Sequence, residues 1–593
     1  MASSKEKKAK LILEKYEKAR RQRQKMNPKW KELDAFDRGE QWDLGGGRKI
    51  PDWVPKPVTN FVHLVKTTKR AALAIENPSA MIMGQTPQDH ANAQKLQKVV
   101  NFVWDRMRAR AVVRDILETA KLLGTGIAKI YYEDDGTVYG GSGARYRGEI
   151  KIKQIDPAIF YPDPNAFRLQ DCEYIHIVYR RPVAWVKKEF GISDIEAREI
   201  ANESRGEIYN RDYNSEDLDK IIDFHEHYEK VPNDEEIGGF RYQVTYLAGN
   251  KIVRDTQPLQ PNCYPFAILY DYPQRQDFWG KSTCEIILDN QKLINKVESI
   301  MALIGVLLQN PQKVIHKRSG INPEEAAKYG STPGHVWLSD IDPAMAMYWQ
   351  QPPQIPSALF NLAEQAKQNI REITGLTEAY MGQTVGSLQT STGVNSLIER
   401  STMRDRDQMY DFELFIEDIV DLIIKFIIEY YDEPRIARVL KSNDQEPEFF
   451  EFIGREFEDL AYDIRVDISS TAPITRIRKQ EELDKLLTLQ GQMGFQPRII
   501  TPQEYVRESD YMNKEMFLER MNMEEIQGAN AILQEALAMM VEGLQGGLPP
   551  EQVAEMGQAM VEQRFTAMQQ GQLGNTAEHS GEMQARQGMP PSL

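Results

Sequence analysis

The alternation of apolar and polar residues divides the chain into stretches of different period. From Val58 to Ile75 and from Gln94 to Leu123 the apolar positions recur at helical spacing, with a stop at Asn77-Pro78. After Gly124-Thr125-Gly126 the period changes to two. Ile127, Lys129 and Tyr131 alternate with Ala128, Ile130 and Tyr132, and a Gly-rich tip leads into Glu149–Ile155, which predicts a β-hairpin. Further strands are expected at Tyr174–Tyr179, Ile221–Glu229, Arg241–Leu247 and Lys251–Arg254, so the first part of the chain reads as α+β.

Beyond it lie Cys284–Gln309, a long helix, and Ser357–Ile373, a second one, separated by a Pro- and Gly-containing segment. In the first helix Ile287, Ile294, Val297, Met301, Ile304 and Leu308 form a heptad-like seam. Such a seam suits lateral packing against copies of itself, or an ordinary core helix. Ala379–Ile398 carries no charged residue, and a long helix follows over about Asn395–Tyr431. Strands return at Glu448–Phe452 and Asp463–Ile468, helices at Arg476–Gln490 and Pro502–Met540, and Val541–Leu593 reads as a weakly helical or disordered tail.

Charge changes this picture. The 593 residues carry a formal net charge of −15, yet residues 1–31 hold 12 Lys/Arg against 3 Asp/Glu, which leaves −24 on the rest. A body that acidic lacks the basic footprint of a sequence-reading DNA binder. The length predicts about three to five domain-sized units. Cys172, Cys263 and Cys284 have neither disulfide nor zinc spacing and suit a reducing cytoplasm. The apolar stretch Phe412–Tyr431 contains Glu413, Glu417, Asp418, Asp421, Lys425 and Glu429. Charges at the centre of a membrane helix cost roughly 2.5–3.5 kcal/mol each, so no membrane span is expected.

Candidate chemistry is thin. Gly280-Lys281-Ser282-Thr283 resembles the end of a phosphate loop, but position 275 is Arg and Phe278-Trp279 crowd the turn, so a helix cap is expected instead. His225 and His227 would share one face of a strand. The zinc-protease pattern fails at Glu229, and a structural or solvent-facing pair is the reading. No serine elbow or matched acid–base pair is evident. The expectation is a protein with no catalytic residue, no metal and no cofactor.

The order of elements is more telling than any motif. With the phrases Arg38-Gly39-Glu40-Gln41-Trp42, Asn60-Phe61-Val62, Leu123-Gly124-Thr125-Gly126-Ile127-Ala128, Ile155-Asp156-Pro157 and Phe160-Tyr161-Pro162-Asp163-Pro164, it resembles the portal (head–tail connector) proteins of tailed double-stranded DNA bacteriophages. The likeness is strongest to the large podovirus-type portals and covers about residues 30–535. It implies an α+β, helix-rich ring subunit without enzymatic activity. The ring would be a homododecamer at one capsid vertex, assembled in the host bacterial cytoplasm. Double-stranded DNA would pass through it without sequence recognition, and its partners would be terminase, tail adaptor, capsid and scaffolding proteins.

Carried onto this chain, the resemblance gives a basic arm (1–29), a wing (30–283 and 400–470) and stem helices (284–310 and 357–374). It further gives a clip (311–356), a tunnel loop (375–399), a crown (471–540) and a tail (541–593). Within the tunnel loop Gln383, Thr384, Gln389 and Thr390 would meet DNA through weak, interchangeable hydrogen bonds, and Lys313, Lys317 and Arg318 would put positive charge on the clip. Acidity argues against gripping DNA yet is compatible with a ring that lets DNA slide. The alternative is another non-enzymatic scaffolding or structural component of a virion. A packaging ATPase or nuclease would need a complete phosphate loop or a metal-binding carboxylate cluster.

Overall fold

The computed structural model describes residues 4–42, 50–73, 80–87, 89–134, 148–192, 221–233, 239–309, 311–350, 357–376, 391–439 and 448–466, with short pieces between 483 and 561. The chain forms two units, residues 1–437 with 450–468, and residues 438–449 with 469–593. In the second unit the described pieces include a helical turn at 483–486, whose Asp484 carboxylate accepts from the Tyr505 hydroxyl at 2.6 Å. The remainder of the expected crown and tail lies outside the described residues.

The first unit opens with helices α1 (Ser4–Gln24), α2 (Asn27–Asp37) and α3 (Phe61–Leu73), then strand β1 (Ala80–Gly84) and helices α4 (His90–Arg106) and α5 (Ala109–Leu123). The single helical stretch expected over Gln94–Leu123 is thus broken in two. Arg108 stands at the break with φ 51°, a left-handed conformation for which arginine gives no sequence signal. Strand β2 (Thr125–Glu133) pairs with β3 (Glu149–Ile155) as the alternation predicts. Strands β4 (Phe160–Pro162) and β5 (Tyr174–Pro182), helix α6 (Val183–Phe190), and strands β6 (Ile221–Pro232), β7 (Phe240–Ala248), β8 (Lys251–Pro258) and β9 (Phe266–Tyr270) follow.

Two antiparallel sheets result. A three-stranded one has the order β3-β2-β9, and a five-stranded one the order β4-β5-β6-β7-β8. The chain passes from α5 into β2 at Gly124, whose φ is 91° and whose Cβ would lie 2.1 Å from the carbonyl oxygen of Gly280. Only glycine fits that approach.

The chain continues with helix α7 (Thr283–Gln309), strand β10 (Lys313–Ile315), short helices α8 (Pro323–Tyr329) and α9 (Pro343–Ala346), strand β11 (Met347–Trp349), and helices α10 (Ser357–Thr374) and α11 (Ser391–Tyr430). Strands β12 (Arg435–Val439), β13 (Glu448–Phe452) and β14 (Tyr462–Val466) complete the unit boundary, and β14 pairs with β1. Helix α11 begins at Ser391, inside the uncharged run expected to be loop. Its Phe415, Ile416, Ile419, Ile423 and Ile427 are fully buried in one core with α4, α5 and β2. The acidic stripe of α11 is used as well, since Glu417 accepts from the Val466 amide and Asp421 from the Tyr462 hydroxyl, both at 3.2 Å. Among the described residues, no helix is long and apolar enough to cross a membrane.

The basic N-terminus is a correction to the sequence reading. It is no free arm but a helix lying on the five-stranded sheet, with Ala9, Ile12, Tyr16 and Ala19 buried. Lys15 pairs with Glu229, and Lys5 with Asp255 at 2.9 Å.

Candidate functional site

The segment most distinct in its chemistry is the helix pair α7–α10 with the small module between them. Helix α7 is held at its start by a buried polar hub. Asp271, just after β9, accepts from Lys121 Nζ at 2.6 Å and Gln408 Nε2 at 3.0 Å through one oxygen, and from the Thr283 amide and hydroxyl through the other. Lys121 also donates to Gln408 Oε1 at 2.8 Å. The carboxylate therefore caps α7 while tying it to α5 and α11. Neither the sequence motifs nor the periodicity pointed to Asp271.

The phosphate-loop-like turn belongs to the same joint. The Gly280 amide donates to Thr125 Oγ1 at 2.9 Å, the Lys281 amide to the Tyr272 carbonyl at 2.9 Å, and the Glu285 amide to Ser282 Oγ at 2.9 Å. The backbone donors that would cradle phosphate are spent on the protein's own acceptors.

Along its next two turns α7 carries a polar ladder. Gln291 accepts from the Phe61 amide at 2.9 Å and donates to the Thr59 carbonyl and to Asn295, both at 2.8 Å. Asn295 donates to Gln41, and Ser299 to the Pro55 carbonyl at 2.7 Å. Gln291, Asn295 and Ser299 follow at i, i+4 and i+8, so one face of the helix is bonded to Gln41, Pro55, Thr59 and Phe61. Two of the recognised phrases, Arg38–Trp42 and Asn60–Val62, meet here. Asn60 donates to the Phe36 and Asp37 carbonyls at 3.0 and 2.9 Å.

The apolar seam of α7 is divided. Ile287 and Ile294 are fully buried, packed in the chain's own core with Ala366 and Ile370 of α10, and Val297 is 2% exposed. These three are buried within a single chain, in keeping with the core-helix alternative for this part of the helix. Ile304 is buried, Met301 is half-buried, and Leu308 is 61% exposed. On α10 the buried stripe is Ala363, Ala366 and Ile370, while Phe360, Leu362 and Ile373 are exposed. Lys367 bridges back to Glu298 at 3.3 Å.

The module between the helices is a β10–β11 ribbon with α8 and α9, closed by a small core of Ile321, Ala326 and Ala346. Asn322 and Asp342 cap the two short helices. Its outer surface is unusually apolar, with Val336, Leu338, Met345 and Tyr348 all exposed, Leu338 at 87%. The predicted basic trio is split. Lys313 donates to the Ala326 carbonyl at 3.3 Å, at the end of α8, whereas Lys317 and Arg318 are exposed on the turn after β10. Gln383, Thr384, Gln389 and Thr390 lie outside the described residues.

Two further observations concern chemistry. Burial pushes the Cys172 thiol up to about 12 and the Cys263 thiol up to about 11, so neither supplies a thiolate at neutral pH. Among the described residues, no group of three or more His, Cys, Asp or Glu is arranged to hold a metal ion. Residues 76–587 match the family described as "Phage P22-like portal protein".

Proposed function

The chain belongs to the phage P22-like portal protein family, and from that membership we propose that it assembles as a closed ring of twelve around a DNA channel at one capsid vertex. The observation that carries the assembly is the exposed apolar surface of the α7–α10 ends and the module between them. Leu308, Phe360, Val336 and Leu338 stand in water in a single chain. Exposed large apolar side chains in such number suit a protein interface, and a neighbouring copy in a closed ring would cover them.

In this reading α7 and α10 are the stem, 311–356 the clip, and the interrupted α+β body the wing. The seam residues available for lateral packing are those past Val297, with Met301 and Leu308 foremost. Within the tunnel loop the uncharged residues 379–390, including Gln383, Thr384, Gln389 and Thr390, would meet the passing DNA. An uncharged contact displaces few counterions and so binds phosphate weakly, which suits sliding. The acidic body repels DNA from the wall, and Lys317 and Arg318 offer positive charge where DNA or the terminase motor arrives. The ring performs no chemistry. It guides a genome driven by an external ATPase, then docks the tail adaptor.

Negative-stain microscopy and native mass spectrometry of the purified chain test this. Rings with a central hole and a mass twelve times that of the chain are expected. Monomers or open filaments overturn the ring, and substantial ATPase activity of the chain alone overturns the non-catalytic reading.

A further inference from the structure

The face of the five-stranded sheet beneath α1 holds three histidines that the portal reading does not use. Sheet register sets His176 of β5 directly opposite His227 of β6, with His225 two residues along the same face. The His176 and His227 rings lie 4.3 Å apart between centroids, and Tyr16 of α1 stacks edge-on against His225 at 4.8 Å and tilted against His176 at 5.6 Å. His176 is fully buried, His227 is 1% exposed and His225 4%. Neither nitrogen of His176 has a hydrogen-bond partner, nor has Nδ1 of His225 or of His227. The Nε2 of His227 stands 3.8 Å from the Glu229 carboxylate, beyond hydrogen-bond reach.

Such a cluster is stable only as neutral rings. An imidazolium has two N–H donors and needs two acceptors. The charged and titratable neighbours offer few. Helix α1 contributes Lys8, Lys15, Tyr16 and Arg20, strand β4 contributes Tyr161, and β5 contributes Tyr174 and Arg180. Strand β6 contributes Asp223 and Glu229. Glu229 already pairs with Lys15, and Asp223 is faced by Arg180 and Arg20. On β7 and β8 the nearest polar groups are Thr245 and Thr256, which bond to each other at 2.7 Å.

We infer that α1 is a proton-responsive latch: protonation of His176, His225 and His227 releases the helix from the sheet, baring a His- and Tyr-lined face and freeing a strongly basic helix. The sign follows from burial, which holds all three rings below the ordinary histidine value, His225 at about 4. Above pH 6.5 the rings are neutral in both the docked and the released helix, and docking keeps its full strength. As pH falls below 6.5 the released state takes up protons that the docked state refuses. The docking equilibrium then weakens by up to about tenfold per pH unit for each histidine, until the docked ring itself titrates. The latch is internal to one chain and holds whether or not the chain forms a ring.

Hydrogen exchange of the full chain, corrected for the intrinsic pH dependence of exchange, reads the latch directly. Between pH 7.5 and 5.0, protection in residues 4–24 is expected to fall at least about tenfold, with α5 unchanged as the internal control. In the H176F/H225L/H227F variant the fall should shrink below about twofold. Wild-type protection that does not change with pH overturns the latch, as does a variant that keeps the full wild-type response. A second measurement needs no variant. Exchange at the imidazole C2 positions gives each histidine's titration in the intact protein, and a midpoint at or above 6.5 for His176 and His225 overturns the inference.

Discussion

The two halves of α7 differ sharply in what holds them. From Thr283 to Ser299 the helix is tied down by Asp271 at its cap and by Gln291, Asn295 and Ser299 along one face, while Ile287 and Ile294 fill the core. Past Met301 those anchors cease, and Val306 and Leu308 stand exposed. One continuous helix is therefore complete on its own at one end and incomplete at the other. Such a surface would suit the proposed subunit of an assembly. The anchored half fixes where the helix leaves the body, and the bare half is what a neighbour would read.

The contrast breaks most severely at Asp271. Replacing it by Ala leaves Lys121 buried without its carboxylate and removes the cap of α7. A loss of about 3–5 kcal/mol is expected, because a buried charge left unpaired costs far more than the pair contributes. Trp30 and Trp279 pack edge-on at 5.0 Å in the core that receives α7, so tryptophan fluorescence during urea unfolding follows that core. An unchanged midpoint for D271A would show that the hub carries no load.

A milder change probes the same half. Shortening Ile294 to Val removes one methyl from a fully buried site that α10 closes with Ile370. About 0.5–1.5 kcal/mol should be lost in the same unfolding measurement. Had Ile294 belonged to a subunit interface, the loss would show in assembly and leave the separated chain untouched.

How much of this was legible beforehand follows from physical range. The amphipathic period marked α3, α7, α10 and α11 to within a few residues, and the alternation around Gly124–Tyr132 marked β2 and β3. The short strands β1, β4, β9, β10, β11 and β12 were missed. Phe266–Tyr270 is an apolar run without alternation, and only pairing with β2 makes it a strand. Asp271 looked like any loop carboxylate, since its partners Lys121, Thr283 and Gln408 are distant in sequence. The histidine cluster was half visible, as His225 and His227 share a face by period. His176 joins them only through the β5–β6 register. The phrases that carried the family resemblance proved to be joints: Asp156 accepts from the Ala158 amide at 2.8 Å, and Asp163 from the Asn165 amide at 3.0 Å. Their spacing is dictated by local backbone geometry and can be read in a short stretch of sequence, whereas long-range contacts leave no such mark.

The smallest expected effect on stability gives the sharpest test of the comparison. Leu308 is exposed near the end of α7, so changing it to Glu should alter the unfolding midpoint of the separated chain by no more than about 0.5 kcal/mol. If the bare half of α7 is an intersubunit surface, the same substitution places a charge in an apolar contact repeated at every junction of a ring. Because each subunit lies between two neighbours, the penalty multiplies around a closed assembly. Native mass spectrometry should then show L308E as small species under conditions where the unaltered chain forms rings and I294V still does. Full rings from L308E would move the interface away from α7 and onto the apolar face around Val336 and Leu338. That outcome would leave the anchored half as described and take from the other half the role assigned to it.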